Sequence, residues 1–250
     1  MTATRNARNR ATAALAAAGP GALLCLAGAC QDDSFQCLAA VEDIRMAATI
    51  VDDDLRVEAE IKLWALHRSG IEIPMALCSS GKRPDHLRIN GEDVDDSHAQ
   101  DHPIYLLSLD APSASYKIEL YRGGNNVTIT TRVEAPPGLT ITLPGGEQIS
   151  RSADVELRWT PIEREKTLQV VVERDDLSCL QRFSADVRDK GQAIFAAPWP
   201  ALVEGASTQR QCDGDLVLTR TSVGTYPGEL RDGGIASAIT SRRMRFRSIP

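Results

Sequence analysis

The chain has 250 residues, with 28 Lys and Arg against 34 Asp and Glu and a formal charge of −6. Hydrophobic residues make up 42% and aromatics 4%, which points to a folded body whose core is built mainly from Val, Ile, Leu and Ala. Arg5, Arg8 and Arg10 all fall in an N-terminal leader. Without them the charge goes from −6 to −9, a balance that argues against nucleic acid as a partner.

Residues 1–10 are polar, with three arginines and no acid. Residues 11–26 are dominated by Ala and Leu, broken by Thr12 and Gly19-Pro20. This is the n-region and h-region of an export signal, too short for a membrane-spanning helix. Small residues at Ala27-Gly28-Ala29 suit cleavage before Cys30, so residues 1–29 read as a signal peptide. Leu26-Ala27-Gly28-Ala29-Cys30 resembles a bacterial lipobox, which implies that Cys30 receives diacylglycerol and becomes the new N-terminus. The alternative is an ordinary Ala-x-Ala cleavage site followed by cysteine. After cleavage Cys30, Cys37, Cys78, Cys179 and Cys212 remain, an odd number, and acylating Cys30 leaves four that can all pair. The resemblance implies a lipidated tether over 30–41. In the lipoproteins this segment resembles, Asp after the cysteine often retains the protein at an inner membrane, so Gln31 implies an outer-membrane destination where the cell has one.

From Glu42 onward the periodicity is two. Leu55, Val57, Ala59 and Ile61 alternate with Arg56, Glu58 and Glu60, the pattern of a half-buried strand. Tyr116, Ile118 and Leu120, then Val155, Leu157 and Trp159, then Met244 and Phe246 repeat it, and further short runs cover 104–109, 127–132, 139–143, 168–173 and 215–220. Asn90-Gly91 and Gly123-Gly124-Asn125-Asn126 are hairpin turns, since these residues tolerate positive φ. The segment 198–202 supports one helical turn at most. Many short strands between turn signals mean an all-β sandwich or barrel. Pro136-Pro137 cannot continue a central strand, so a boundary at 134–138 divides a first domain over 42–134 from a second over 138–250. Four cysteines allow three pairings, of which Cys37–Cys78 with Cys179–Cys212 is the one that does not cross this boundary.

The second half, with Leu139–Leu143 and Val155-Glu156-Leu157-Arg158-Trp159-Thr160-Pro161, resembles an immunoglobulin-like or fibronectin-type β-sandwich. The body as a whole is similar to two-domain envelope lipoproteins of Gram-negative bacteria. The shared points are the Leu157-x-Trp159-x-Pro161 segment, the Cys179 strand, Arg188-Asp189-Lys190-Gly191, the strand from Cys212 to Arg220, Gly233-Gly234-Ile235 and 242–250. Trp159 precedes both cysteines of its half, so the antibody-type Cys–Trp–Cys signature is absent. The resemblance implies two tandem sandwich domains and no activity.

Candidate chemistry is sparse. His67, His86, His98 and His102 all lie in the first half. His98 and His102 are four apart among Glu92, Asp93, Asp95, Asp96 and Asp101, but Ala99 breaks the zinc-protease pattern and His98 and Ile104 break the EF-hand. A solvated acidic loop is the reading. Asp52-Asp53-Asp54 reads as a turn in water, and Ser79-Ser80-Gly81 lacks the nucleophile-elbow context. Gly123-Gly124 has no Lys-Ser/Thr partner for a phosphate loop, and Asn126-Val127-Thr128 is a turn. Arg243, Arg245 and Arg247 form one face of a strand, with Arg242 beside them, solvated or facing an acidic partner. Trp64, Trp159 and Trp199 read as core or domain-interface residues, with Trp199, between prolines, the one open to exposure. The sequence therefore points to a non-catalytic binding or structural module of the cell envelope. Its expected partners are membrane lipid, through acylated Cys30, and an envelope protein; no cofactor or metal is expected. The alternative is an envelope hydrolase or carbohydrate-active enzyme with carboxylates drawn from 52–54 and 93–96.

Overall fold

The computed structural model describes residues 37–53, 56–78, 83–97, 104–174 and 176–250, with the side chains of 95–97 left aside. The leader and Cys30, Asp54, Leu55, Ser79-Ser80-Gly81, His98 and His102 lie outside the described residues.

The fold is all-β. After a 3₁₀ turn at Val41–Asp43 come β1 (Ile44–Asp52), β2 (Val57–Leu66), β3 (Glu72–Pro74), β4 (His86–Ile89), β5 (Glu92–Asp93), β6 (Asp95–Ser97), β7 (Ile104–Leu109), β8 (Ser115–Arg122) and β9 (Val127–Glu134). Beyond Pro136-Pro137 follow β10 (Thr140–Thr142), β11 (Gln148–Ser150), β12 (Val155–Thr160), β13 (Thr167–Arg174), β14 (Phe183–Arg188), β15 (Gln192–Phe195), β16 (Cys212–Val223) and β17 (Ile235–Ile249). Among the described residues no helix is long and apolar enough to cross a membrane. The segment 198–202 holds no helical turn, and Leu202 instead makes a single bridge to Leu180.

The period-two reading holds in detail. β1 alternates strictly, with Ile44, Met46, Ala48 and Ile50 buried. Tyr116, Ile118 and Leu120 of β8, and Val155, Leu157 and Trp159 of β12, are buried as their alternation requires. Asn90 and Gly91 have φ of 52° and 90°, and Asn126 has φ of 52°, so both expected turns are present at the hairpins joining β4 to β5 and β8 to β9.

A ten-stranded sheet is the frame, with a main order of β14-β13-β16-β17-β1-β2-β7-β6, while β11 pairs with β17 and β3 with β2. Two smaller sheets, β5-β4-β8-β9 and β10-β12-β15, face it in sandwich fashion. Inward residues of β1, β2, β4, β8 and β9 form one core, and those of β12, β13 and β16 with Leu139 and Phe246 form another. The cores part near 134–138, yet Leu230, Ala236 and Ala238 pack in the first core. The 15-residue β17 bridges them: residues 235–240 pair in parallel with β1 at 47–52, and 237–248 pair antiparallel with β16.

The loop from Gly224 to Gly234 covers the part of β1 that β17 does not reach. The Met46 N–H donates to the Tyr226 hydroxyl at 2.9 Å, and the Arg231 N–H donates to the Ile44 carbonyl at 2.8 Å. These bonds satisfy backbone groups that burial would otherwise leave unpaired. The path needs Gly224, where a Cβ would stand 2.4 Å from the Arg132 carbonyl oxygen of β9.

Candidate functional site

Four of the six cysteines form Cys37–Cys78 and Cys179–Cys212, each bridge within its own half. Among the described residues the expected carboxylates do not come together. Asp52 is not a solvated turn residue: it ends β1 on the inward face, is 8% exposed and meets the Arg242 guanidinium at 3.4 Å. Asp53 accepts from the Arg56 N–H at the hairpin corner. Asp93 lies in a different sheet and pairs with Arg88 at 2.7 Å, and this bond holds the Asp93 carboxyl below its ordinary range. On the large sheet Asp52 pairs with Val57 and then Leu109, whereas Asp95 pairs with Leu106. Their backbones are therefore three strands and three residues apart, about 17 Å at ~4.8 Å per strand and ~3.3 Å per residue. Paired-carboxylate hydrolysis needs roughly 5–9.5 Å between the acid groups. Among the described residues no three His, Cys, Asp or Glu side chains are grouped as metal ligands.

The residues that do converge lie on the face of the large sheet turned away from both cores. Here β13, β16, β17 and the end of β1 line a depression of about 820 Å³. Strand parity sends Val171 of β13, Val217 of β16 and Val51 of β1 to this face, where they form its apolar floor. Polar groups surround them. Arg243 spans to Glu173 at 2.7 Å and to Asp215 at 3.0 Å, Arg245 approaches Asp215 at 4.0 Å, and the Thr219 and Ser241 hydroxyls lie 3.4 Å apart. Arg247 extends the row, donating to Asp213 at 2.8 Å; this bond raises the guanidinium pKa and lowers that of the carboxyl. The terminal basic strip is thus a solvated strand face, as its alternation implied, and it is laced to acids of β13 and β16. The Arg243 guanidinium and Glu173 carboxylate stay half exposed, so they can exchange internal partners for those of an incoming polar chain, while Asp215 is buried beneath them. Around an apolar floor such an arrangement can hold an extended ligand.

The three tryptophans divide. Trp64 is half-buried, and the Arg45 guanidinium lies 4.3 Å from its ring centroid while also pairing with Glu72. Trp199 is buried, stacked on Phe195 at 4.5 Å and edge-on to Phe183. Trp159 is buried and leads to a feature that sequence reading missed. Its indole N–H donates to Asp189 at 2.6 Å, and Asp189 also accepts from Arg220 at 2.7 Å. Arg220 further donates to the Pro161 carbonyl and, at 3.4 Å, to the Pro137 carbonyl. The Leu157-x-Trp159-x-Pro161 segment, Asp189 and Arg220 therefore meet in one buried network.

A second buried pair serves the first core. Arg122 meets Asp85 at 2.9 Å with both side chains 2% exposed, and Asp85 also accepts from the N–H groups of Gly123 and Cys78. Burial pulls the Arg122 guanidinium down from its ordinary value, and Asp85 beside it opposes the shift. Arg122 also donates to the carbonyls of Cys37 and Ala39 at 3.5 and 3.4 Å, which fastens the point where the chain enters the body. Both arginines have a sequence signal. Each occupies the next inward position of an apolar alternation: Tyr116, Ile118, Leu120, Arg122 and Leu216, Leu218, Arg220.

Comparison of the chain with models of known protein families gives no match, and comparison with curated proteins gives none either.

Proposed function

We propose that this protein is a lipid-anchored, extracytoplasmic binding module of the bacterial cell envelope, made of tandem immunoglobulin-like sandwiches and docking a partner on the open face of its large sheet. The observation that carries the reading is that face: a valine floor within a lattice of Arg243, Arg245, Glu173 and Asp215, in a depression of about 820 Å³. Two disulfides support a compartment outside the reducing cytoplasm. The lipobox-like segment ending in Cys30 supports attachment to a membrane, with the outer membrane favoured by Gln31. A sheet face that offers both charges and an apolar centre suits an extended polypeptide of an envelope protein better than a uniformly anionic polymer.

The test is chemical cross-linking in the native envelope, comparing wild type with Arg243→Glu/Arg245→Glu and with Cys30→Ala. A protein captured by wild type and lost in the double arginine variant supports the docking face. Equal capture by wild type and double variant sinks it. Palmitate labelling of wild type that is absent from Cys30→Ala supports the anchor, and label persisting in Cys30→Ala removes it.

A further inference from the structure

We propose that the pole of the first sandwich around Leu38 and Ile71 is a membrane-facing surface that rests on the bilayer. The proposal depends on the lipid anchor at Cys30. Seven residue steps separate Cys30 from Cys37, so even a fully extended chain limits their distance to about 25 Å. Cys37 is not a loose end: it is bonded to Cys78, and its carbonyl accepts from buried Arg122. Whatever surface lies beside Cys37 is therefore held close to the lipid.

The chemistry of that pole fits an interface. Leu38, next to the anchor point, is 81% exposed, and Ile71, in the turn joining β2 to β3, is 64% exposed. Strand register puts them at the same end. Ala65 pairs with Ile44 and Leu66 with Glu72, so the turn at 67–71 projects past the start of β1, on the side from which residues 37–43 enter. The turn at 123–126 belongs there too, since Gly124 packs on the Cys37 carbonyl. Exposed Arg68 and Arg83 add positive charge, the latter bound to Asn126 at 2.5 Å, on a body that is otherwise strongly acidic. Glu72, beside Ile71, is paired with both Arg45 and Arg231, and Asp85, near Arg83, is paired with Arg122; Asp32, Asp33, Glu42 and Asp43 flank Leu38 along the chain. Isolated apolar side chains with flanking arginines match the boundary between headgroups and acyl chains.

The same register fixes what faces away. Ile235 of β17 lies level with Ala47, three residues beyond Ile44, and Arg243 is eight residues further along the same direction. Eleven residues at ~3.3 Å each put Arg243 about 36 Å from the membrane-facing pole along the strand axis, and the near edge of the depression at Val51, seven residues beyond Ile44, lies about 23 Å from it. The depression is thus presented outward, away from the lipid.

Full-length acylated protein would be reconstituted in vesicles of phosphatidylethanolamine and phosphatidylglycerol carrying bromine on the acyl chains. Tryptophan would be introduced singly as Leu38→Trp, Ile71→Trp and, in the second sandwich, Ile194→Trp, a position 66% exposed. Emission beyond that of the native tryptophans is compared with unbrominated vesicles, thermal melts check folding, and the intact mass reports acylation. Most of the added emission of Leu38→Trp and Ile71→Trp should be quenched, and that of Ile194→Trp should be unchanged. Acylated protein in which all three positions are equally unquenched, or in which Ile194→Trp is quenched most, overturns the orientation and leaves the anchor standing. An intact mass without the lipid overturns the anchor itself, and the proposal with it.

Discussion

Replacing Asp189 with alanine gives the sharpest test of the buried chemistry. Asp189 is fully buried, Arg220 and Trp159 are 1% exposed, and the carboxylate serves both the guanidinium and the indole N–H. The variant removes the nearer counter-charge of a buried guanidinium, a change that costs about 3–5 kcal/mol when one partner of a buried pair is removed, and the partly exposed Glu163 carboxylate at 3.7 Å offsets only part of it. An orphaned indole N–H adds to this, though not additively, because the Pro137 and Pro161 carbonyls still receive Arg220. A net loss of about 4 kcal/mol is the expectation, which for a body of this size lowers Tm by about 8–16 °C. Asp189→Leu combined with Arg220→Met removes both charges and should recover about half the loss, because an apolar pair of similar volume escapes the desolvation cost. Circular dichroism melts and urea titrations of the Cys30→Ala protein would measure both effects. The reasoning fails if Asp189→Ala costs less than about 1 kcal/mol, or if the double variant is no more stable than the single one.

Three further outcomes follow from named contacts. Gly123→Ala places a Cβ 1.7 Å from the Arg83 carbonyl oxygen, a backbone atom that cannot step aside without moving the Asp85 network, so urea titration should show a loss of about 1–3 kcal/mol or more. Replacing both Cys37 and Cys78 with serine opens a loop of 41 residues and should reduce stability by up to about 4 kcal/mol, read from the shift in urea midpoint. Arg247 holds the Asp213 carboxyl below its ordinary 3.8, so the pair contributes stability above that value, lost as pH falls through the lower folded-state value. Arg247→Gln should therefore lower Tm slightly at neutral pH and make no difference near about pH 2; an undiminished gap at low pH would refute the pairing.

Local order in this protein is written plainly in the chain, because a strand with one buried face must alternate. Tyr116 to Leu120 and Val155 to Trp159 announce both their conformation and their inward side, and Asn90-Gly91 announces a turn that few other pairs can make. The long-range pairing has no comparable signal. β1 and β17 lie side by side although 188 positions separate Ala47 from Ile235, and nothing in either strand names the other. Asp52 shows a different limit: three successive acids suggest water, yet the first belongs to the parity of Ile50 and turns inward to Arg242. The basic strip was legible as one strand face, but its lacing to Glu173, Asp213 and Asp215 depends on which strands flank it.

Parity therefore carries more information than polarity in these strands, and the two buried arginines make the case. Arg122 and Arg220 continue apolar alternations by one step, so geometry forces them inward whatever their charge, and the fold answers with Asp85 and Asp189. Both responses fasten segments that no strand pairing secures. Arg122 grips the entering chain at Cys37 and Ala39, and Arg220 grips the crossing between the cores at Pro137. Strand β1 leads from the first grip, and from Ala47 onward it pairs with β17, which continues past the second grip to the arginine-rich depression. A load applied at Cys37 would pass along the backbone through the turn at Val41–Asp43 into β1, and from there to β17 and Arg243 through the parallel sheet hydrogen bonds at 47–52.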